Sequence, residues 1–181
     1  MYRLLFSLFG LMFATIFLIE TLRPLNYQQI EIASRYDDLS SFAQKEVQCL
    51  AKNIYFEARS EPKEGQIAVA FVTLNRVFSK DFPNTICEVV EQRNARLCQF
   101  SWYCESRPNY LYRNNILTIT NDKQYNEIRE LALHVYANFE MMKDPSRGSL
   151  YYHADYVNPN WNHLVRVTTI GRHIFYNERN T

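Results

Sequence analysis

The sequence predicts an α+β domain, mainly helical with a small β-hairpin or sheet, behind an N-terminal apolar helix. Three observations predict it. Apolar residues recur at helical spacing in three long runs, around Val47–Ala58, Ile67–Phe78 and Ile128–Phe139. Short extended runs at residues 150–152, 164–168 and 172–176 close the chain, the last following a Gly171 turn. An uncharged stretch, residues 4–19, opens it.

The 181 residues fit one domain plus an appendage, and a formal net charge of +1 argues against nucleic acid as the main partner, which would want a basic face. In the apolar stretch Arg3 precedes LLFSLFGLMFATIFLI, and Arg23 follows it. About twenty residues are needed to cross a bilayer, so the run of residues 4–19 is short for a spanning helix, and residues 1–22 could stretch it with Arg3 and Arg23 at the ends. After the run come Glu20, Thr21, Leu22, Arg23 and Pro24, with no small-x-small cleavage pattern. Residues 1–23 are therefore expected to be an uncleaved signal anchor, with secretion after cleavage as the alternative. Residues 24–36 form a polar, turn-prone linker, and residues 37–181 the exported domain.

Asp37, Asp38, Ser40 and Ser41 offer an N-cap for the first helix of that domain, in which Val47, Leu50, Ala51, Ile54 and Ala58 define a buried stripe. Glu57 points with that stripe, one turn from Ile54 and two from Leu50. A carboxyl held against apolar and aromatic groups has its pKa raised, which suits a general acid at neutral pH. The alternative is pairing with Arg59 or Arg76 at the helix end. Ser60-Glu61-Pro62 breaks the helix, and Pro62 starts the next at a first-turn position. Ile67, Ala70, Phe71, Leu74, Val77 and Phe78 make its stripe, and Glu64 lies in the first turn, where the macrodipole favours an acid.

Asp81-Phe82-Pro83-Asn84 reads as a turn, and Thr85 as the cap of a short helix reaching Glu91. Residues 93–121 form a long polar stretch rich in Tyr, Asn and Arg, of a kind that is often functional. A third long helix follows over residues 125–142, with Ile128, Leu131, Ala132, Val135 and Phe139 on one face. Cys49, Cys87, Cys98 and Cys104 all lie outside the apolar stretch; an even count in an exported chain suggests disulfides, with three pairings possible. Cys98 and Cys104 are close enough in sequence to close a small loop.

Several short motifs occur together and in order. They are YFEARSE at residues 55–61, then Pro62, Glu64-Gly65-Gln66-Ile67-Ala68-Val69-Ala70 and Val72-Thr73-Leu74-Asn75-Arg76-Val77. Phe82-Pro83-Asn84-Thr85-Ile86-Cys87, Cys98-Gln99-Phe100-Ser101 and Asp144-Pro145 with Gly148 and Leu150-Tyr151-Tyr152 follow. Last comes Thr169-Ile170-Gly171-Arg172-His173-Ile174-Phe175-Tyr176. On these the chain resembles the SleB-type cell-wall hydrolases, spore-cortex-lytic and related enzymes. The family usually carries glycine where Ser60 stands, and residues 102–123 match nothing in its pattern.

The resemblance implies a lysozyme-like, lytic transglycosylase-like fold. It implies cleavage of peptidoglycan glycan strands between N-acetylmuramic acid and N-acetylglucosamine by one glutamate, that of the EAR motif, here Glu57. The products would be 1,6-anhydromuramic acid ends, and no cofactor or metal is expected. A two-carboxylate hydrolase would need a partner from Glu61, Glu64 or Asp155. Gln99 and Ser101 can hydrogen-bond sugar groups, Phe100, Tyr151 and Tyr152 can stack, and His173 can orient a sugar or Glu57. The rival reading is a metal-dependent peptidoglycan amidase or peptidase using His153, His163, His173 and Asp155. Their spacing fits no ligand pattern, and no His-Glu-x-x-His occurs. A non-catalytic wall-binding module is a third, against which the acid on a buried face argues.

Overall fold

The computed structural model describes residues 36–93, 97–105 and 122–179, all within the unit Tyr36–Thr181. The apolar stretch, residues 24–35 of the linker and residues 94–96 and 106–121 of the long polar stretch lie outside the described residues, while Tyr36, placed in the linker, begins the first 3₁₀ turn of the domain. Among the described residues no helix is long and apolar enough to cross a membrane.

Helix α1, Ser41–Ala58, starts where the Ser40 side chain accepts from the Ala43 amide at 3.2 Å. Of the four offered caps the chain uses Ser40; Asp37 and Asp38 sit in a 3₁₀ turn, Tyr36–Asp38. The stripe of α1 is buried as expected, with Val47, Leu50, Ala51 and Ile54 inaccessible. They share one core with Ile128, Leu131, Ala132 and Val135 of the helix Lys123–Asn138.

Helix α2, Lys63–Val77, begins after Pro62, which occupies the N-cap rather than the first turn. Its expected stripe is only half of what it buries. Ala70, Phe71 and Leu74 face the main core, while Ala68 and Val72 face the sheet and pack on Phe175. A helix sandwiched between two layers is apolar on two sides, which blurs a single stripe. Phe78, expected inside, is 69 % exposed at the helix end and stacks on Phe139.

Helix α3, Ile86–Val90, is capped by Thr85, whose hydroxyl accepts from the Glu88 amide. Buried Glu46 of α1 accepts from the Ile86 amide, and a Cys49–Cys87 disulfide joins the same two helices. Helix α4, Ser101–Glu105, is one short turn bracketed by a Cys98–Cys104 disulfide. Helix α5, Lys123–Asn138, is capped by Asp122 and ends in a 3₁₀ turn, Phe139–Met141.

The sheet has three antiparallel strands, β1 Tyr151–Ala154, β2 Leu164–Ile170 and β3 His173–Glu178, in the order β1-β3-β2. It thus exceeds a hairpin, because β1 adds to the free edge of β3. The pairs Tyr152↔Phe175 and Ala154↔His173 lie on one face, and Tyr151↔Tyr176 on the other. Gly171 makes the β2–β3 turn at φ 55°, where a Cβ would run into Glu61 Oε2 and Pro62 Cδ.

Candidate active site

Glu57 stands in the last turn of α1, half-buried, and faces β1. The Tyr152 hydroxyl donates to its Oε2 at 3.1 Å. Strand alternation explains why Tyr152 and not Tyr151 reaches it: the Tyr152 face is turned to the helices. Burial, and then the Glu57 charge, push the Tyr152 phenol well above its usual range, so it remains a donor. The edge of its ring meets His173 with centroids 5.1 Å apart, and Phe175 packs beside it.

Arg76 enters the sequence reading only as a possible ion-pair partner of Glu57, yet the structure builds much of the site on it. Among the described residues it is the only buried Lys or Arg, at 2 % exposure. Its Nε donates to the Leu150 carbonyl at 2.7 Å, which fixes the chain where β1 begins. The Gln99 amide, with its oxygen toward the guanidinium, accepts from both Nη atoms at 3.2 Å. The rings of Phe82, Phe100 and Tyr151 surround the cation at 5.2, 5.4 and 5.9 Å. Burial lowers the Arg76 pKa, and the charges of Tyr152, Tyr151 and Glu57 oppose that shift. A guanidinium keeps its proton in such a place, so a permanent cation lies within electrostatic range of Glu57. A signal did exist: Val69, Thr73 and Arg76 are spaced i, i+4, i+7 and trace the second buried side of α2.

A second wall comes from α4. Trp102 stacks on Phe56, next to Glu57, with centroids 4.6 Å apart and planes 19° apart. Its Nε1 donates to Asn53 Oδ1 at 3.4 Å, and Asn53 in turn donates to Thr73 Oγ1 at 3.0 Å inside the core. Buried Asn53 thus carries a polar link from α2 to the wall.

The other residues named from sequence divide. Gln99 and Phe100 meet at Arg76, with Phe100 buried. Ser101 is exposed at the start of α4. Tyr151 lies on the far face of β1, where its hydroxyl donates to Glu178 Oε1 at 3.0 Å and its ring meets Phe82 and Trp161. His173 is buried behind Tyr152, and its Nδ1 has no hydrogen-bond partner among the described residues. Burial depresses the His173 pKa, which favours the neutral ring.

Two of the three candidate second carboxylates are engaged elsewhere. Glu61 Oε2 accepts from the Arg172 amide at 2.8 Å, and Asp155 Oδ1 pairs with Arg172 Nη2 at 3.2 Å. Glu64 is exposed in the first turn of α2. Among the described residues no group of three or more His, Cys, Asp and Glu is placed to hold a metal. His153 instead lies between the Tyr176 hydroxyl, 3.0 Å from Nε2, and the Ala154 carbonyl, 2.8 Å from Nδ1.

A family model described as Cell Wall Hydrolase matches residues 60–176, starting just after Glu57. A spore cortex-lytic enzyme of Oceanobacillus iheyensis is 32 % identical over 136 residues, covering 74 % of this chain and 42 % of that protein. The spore cortex-lytic enzyme of Bacillus subtilis is 31 % identical over 136 residues, covering 74 % of this chain and 38 % of its own length. The chain thus matches less than half the length of these relatives. Among solved structures, the catalytic domain of the germination-specific lytic transglycosylase SleB from Bacillus anthracis is similar, with TM-score 0.54 and 28 % identity. That match covers 77 % of this chain and 99 % of the other. The catalytic domain of the Bacillus cereus SleB protein gives TM-score 0.52 and 27 % identity, covering 80 % and 98 %.

Proposed function

The chain belongs to the cell wall hydrolase family, and from that premise we propose that it cuts peptidoglycan glycan strands between N-acetylmuramic acid and N-acetylglucosamine. The reaction is a lytic transglycosylation with Glu57 in both proton roles. One observation carries this reading: Glu57 is the acid held at the seam of helix and sheet, while its neighbours Glu61 and Asp155 are both engaged by Arg172. A two-carboxylate hydrolase needs a second acid at a set distance across the sugar, and a transglycosylase does not.

Glu57 as the acid gives its proton to the glycosidic oxygen as the bond to muramic C1 breaks, and glucosamine leaves with a free 4-hydroxyl. Glu57 as the carboxylate then takes the proton of the muramic C6 hydroxyl while O6 bonds to C1. The ring closes to the 1,6-anhydro sugar, Glu57 regains its proton, and no water is consumed. Between the steps the Tyr152 donor and the fixed Arg76 cation stabilise the anion, arranged before substrate arrives. In this reading Gln99, Phe100 and His173 position Arg76 and Tyr152, Ser101 meets sugar groups at the rim, and Tyr151 braces the strand from behind.

Glu57→Gln keeps the shape of the side chain and removes the transferable proton. Wall cleavage should fall at least about a hundredfold with the fold unchanged by circular dichroism. Activity within a few-fold of wild type would refute the assignment. The same reading puts the domain outside the cytoplasmic membrane, held by residues 1–23 as a signal anchor on the spacer 24–36, with Arg3 on the cytoplasmic side. Fractionation with N-terminal sequencing tests that part. Full-length protein released by detergent but not by salt is expected, and soluble protein beginning near residues 22–27 would contradict it.

A further inference from the structure

We propose that Tyr156, backed by Arg172, is a sugar-stacking subsite on the path of the glycan strand beside Glu57. The proposal rests on the glycan-cleavage reading and adds a binding site to it. Among the described residues Tyr156 is the most exposed large hydrophobic side chain, at 77 %. Such exposure of an aromatic ring marks a loose surface residue or a contact surface, and its surroundings distinguish the two.

The ring is not loose. The Arg172 guanidinium covers it, 5.3 Å from the centroid. The Arg172 side chain, 65 % exposed, is tethered by Asp155, and its backbone is held by two further hydrogen bonds. Its Nη2 and Nε donate to the two Asp155 oxygens at 3.2 and 3.4 Å. Its amide donates to Glu61 Oε2 at 2.8 Å, and its carbonyl accepts from the Asp155 amide at 2.7 Å. Gly171 lets the turn approach Glu61 so closely. The ring is thus backed by a cation tethered to Asp155 and exposed to solvent. A contact surface that is ordered before the ligand arrives loses less freedom on binding.

Its place follows from the topology. Two contacts join the helix end to the sheet: Tyr152 to Glu57, and Arg172 to Glu61. Glu61 follows Glu57 by four residues, and Tyr156 follows Tyr152 by four, so both chains run from the reacting acid toward the aromatic platform. Four residues of extended chain span at most about 13 Å, within reach of one bound glycan strand. The occupant is an N-acetylated sugar of that strand. Its C–H face would lie on the ring, and its acetamido or lactyl oxygens would reach the guanidinium.

The test is steady-state kinetics of the detergent-solubilised full chain on purified glycan strands. Tyr156→Ala should raise KM about five- to tenfold and leave kcat within twofold, the size expected for one lost stacking contact. Tyr156→Phe, which keeps the ring, should match wild type. Arg172→Ala, which removes the backing, should raise KM by a smaller factor. An unchanged KM in Tyr156→Ala would overturn the subsite alone, as would a loss confined to kcat. A wild-type chain that leaves glycan intact would overturn the functional reading and the subsite with it.

Discussion

The two walls beside Glu57 are built in opposite ways. On one side α1 and α2 share a core in which Val47, Leu50, Ile54, Ala70 and Phe71 are buried, and the Cys49–Cys87 disulfide lies inside it. On the other side α4 is five residues long, and Gln99, Ser101 and Cys104 around it are exposed. A helix that short has no stability of its own. It stays in place through Phe100 and Gln99 on Arg76, Trp102 on Phe56 and Asn53, and the Cys98–Cys104 bond. The contrast separates two tasks. Damage to the first wall costs the fold, whereas damage to the second should cost the site.

Removing the buried disulfide breaks the comparison on its stronger side. Closing the loop between Cys49 and Cys87, 38 residues apart, stabilises by about 4 kcal/mol in the chain-entropy account. Cys49→Ala/Cys87→Ala should lower stability by that order in urea unfolding, with activity per folded molecule unchanged. An activity loss as large as the stability loss would erase the distinction between the walls.

Arg76 belongs to both walls, so its removal should register in both measurements. Arg76→Met leaves the Leu150 carbonyl and the Gln99 amide without their buried donor, at a cost of about 3 kcal/mol. It should also lower kcat, because Tyr152 and the cation near Glu57 are both disturbed. Arg76→Lys keeps the charge without the fork and should fall between. Wild-type kcat in a folded Arg76→Met protein would remove Arg76 from the site.

The smallest effect on stability is expected at the exposed disulfide. Its loop spans six residues, worth about 2 kcal/mol on the same account. Cys98→Ser/Cys104→Ser should nevertheless reduce activity several-fold, because the segment it closes carries Gln99, Phe100 and Trp102. Mild reduction of the wild type should act similarly, since a thiolate reaches exposed Cys104 before the buried pair. Full activity after Cys98–Cys104 is opened would show that side-chain contacts alone hold the wall.

What could be read from sequence follows the same division. The stripe of α1 and the odd acid on it were legible because one face is buried and the 3.6-residue period shows. The caps Ser40 and Thr85 were legible because a hydroxyl ahead of a helix has one local use. The weight Arg76 carries was hard to read because α2 is covered on two sides, which blurs its stripe and leaves only the i, i+4, i+7 run of Val69, Thr73 and Arg76 to mark it. The Tyr152–Glu57 contact depends on residues 95 positions apart and on strand register, which no local pattern encodes. Phe78 shows the reverse error: apolar and in period, it falls at the helix end and stays exposed.

Whether Glu57 acts alone and without water is tested most directly by product analysis in heavy-oxygen water. Glycan strands are digested by the full chain in this solvent, and the released muropeptides are read by mass spectrometry. The expected products are 1,6-anhydromuramic ends without the heavy oxygen, which disappear with Glu57→Gln. Reducing muramic ends carrying the heavy oxygen would contradict that single-acid route and call for a second carboxylate.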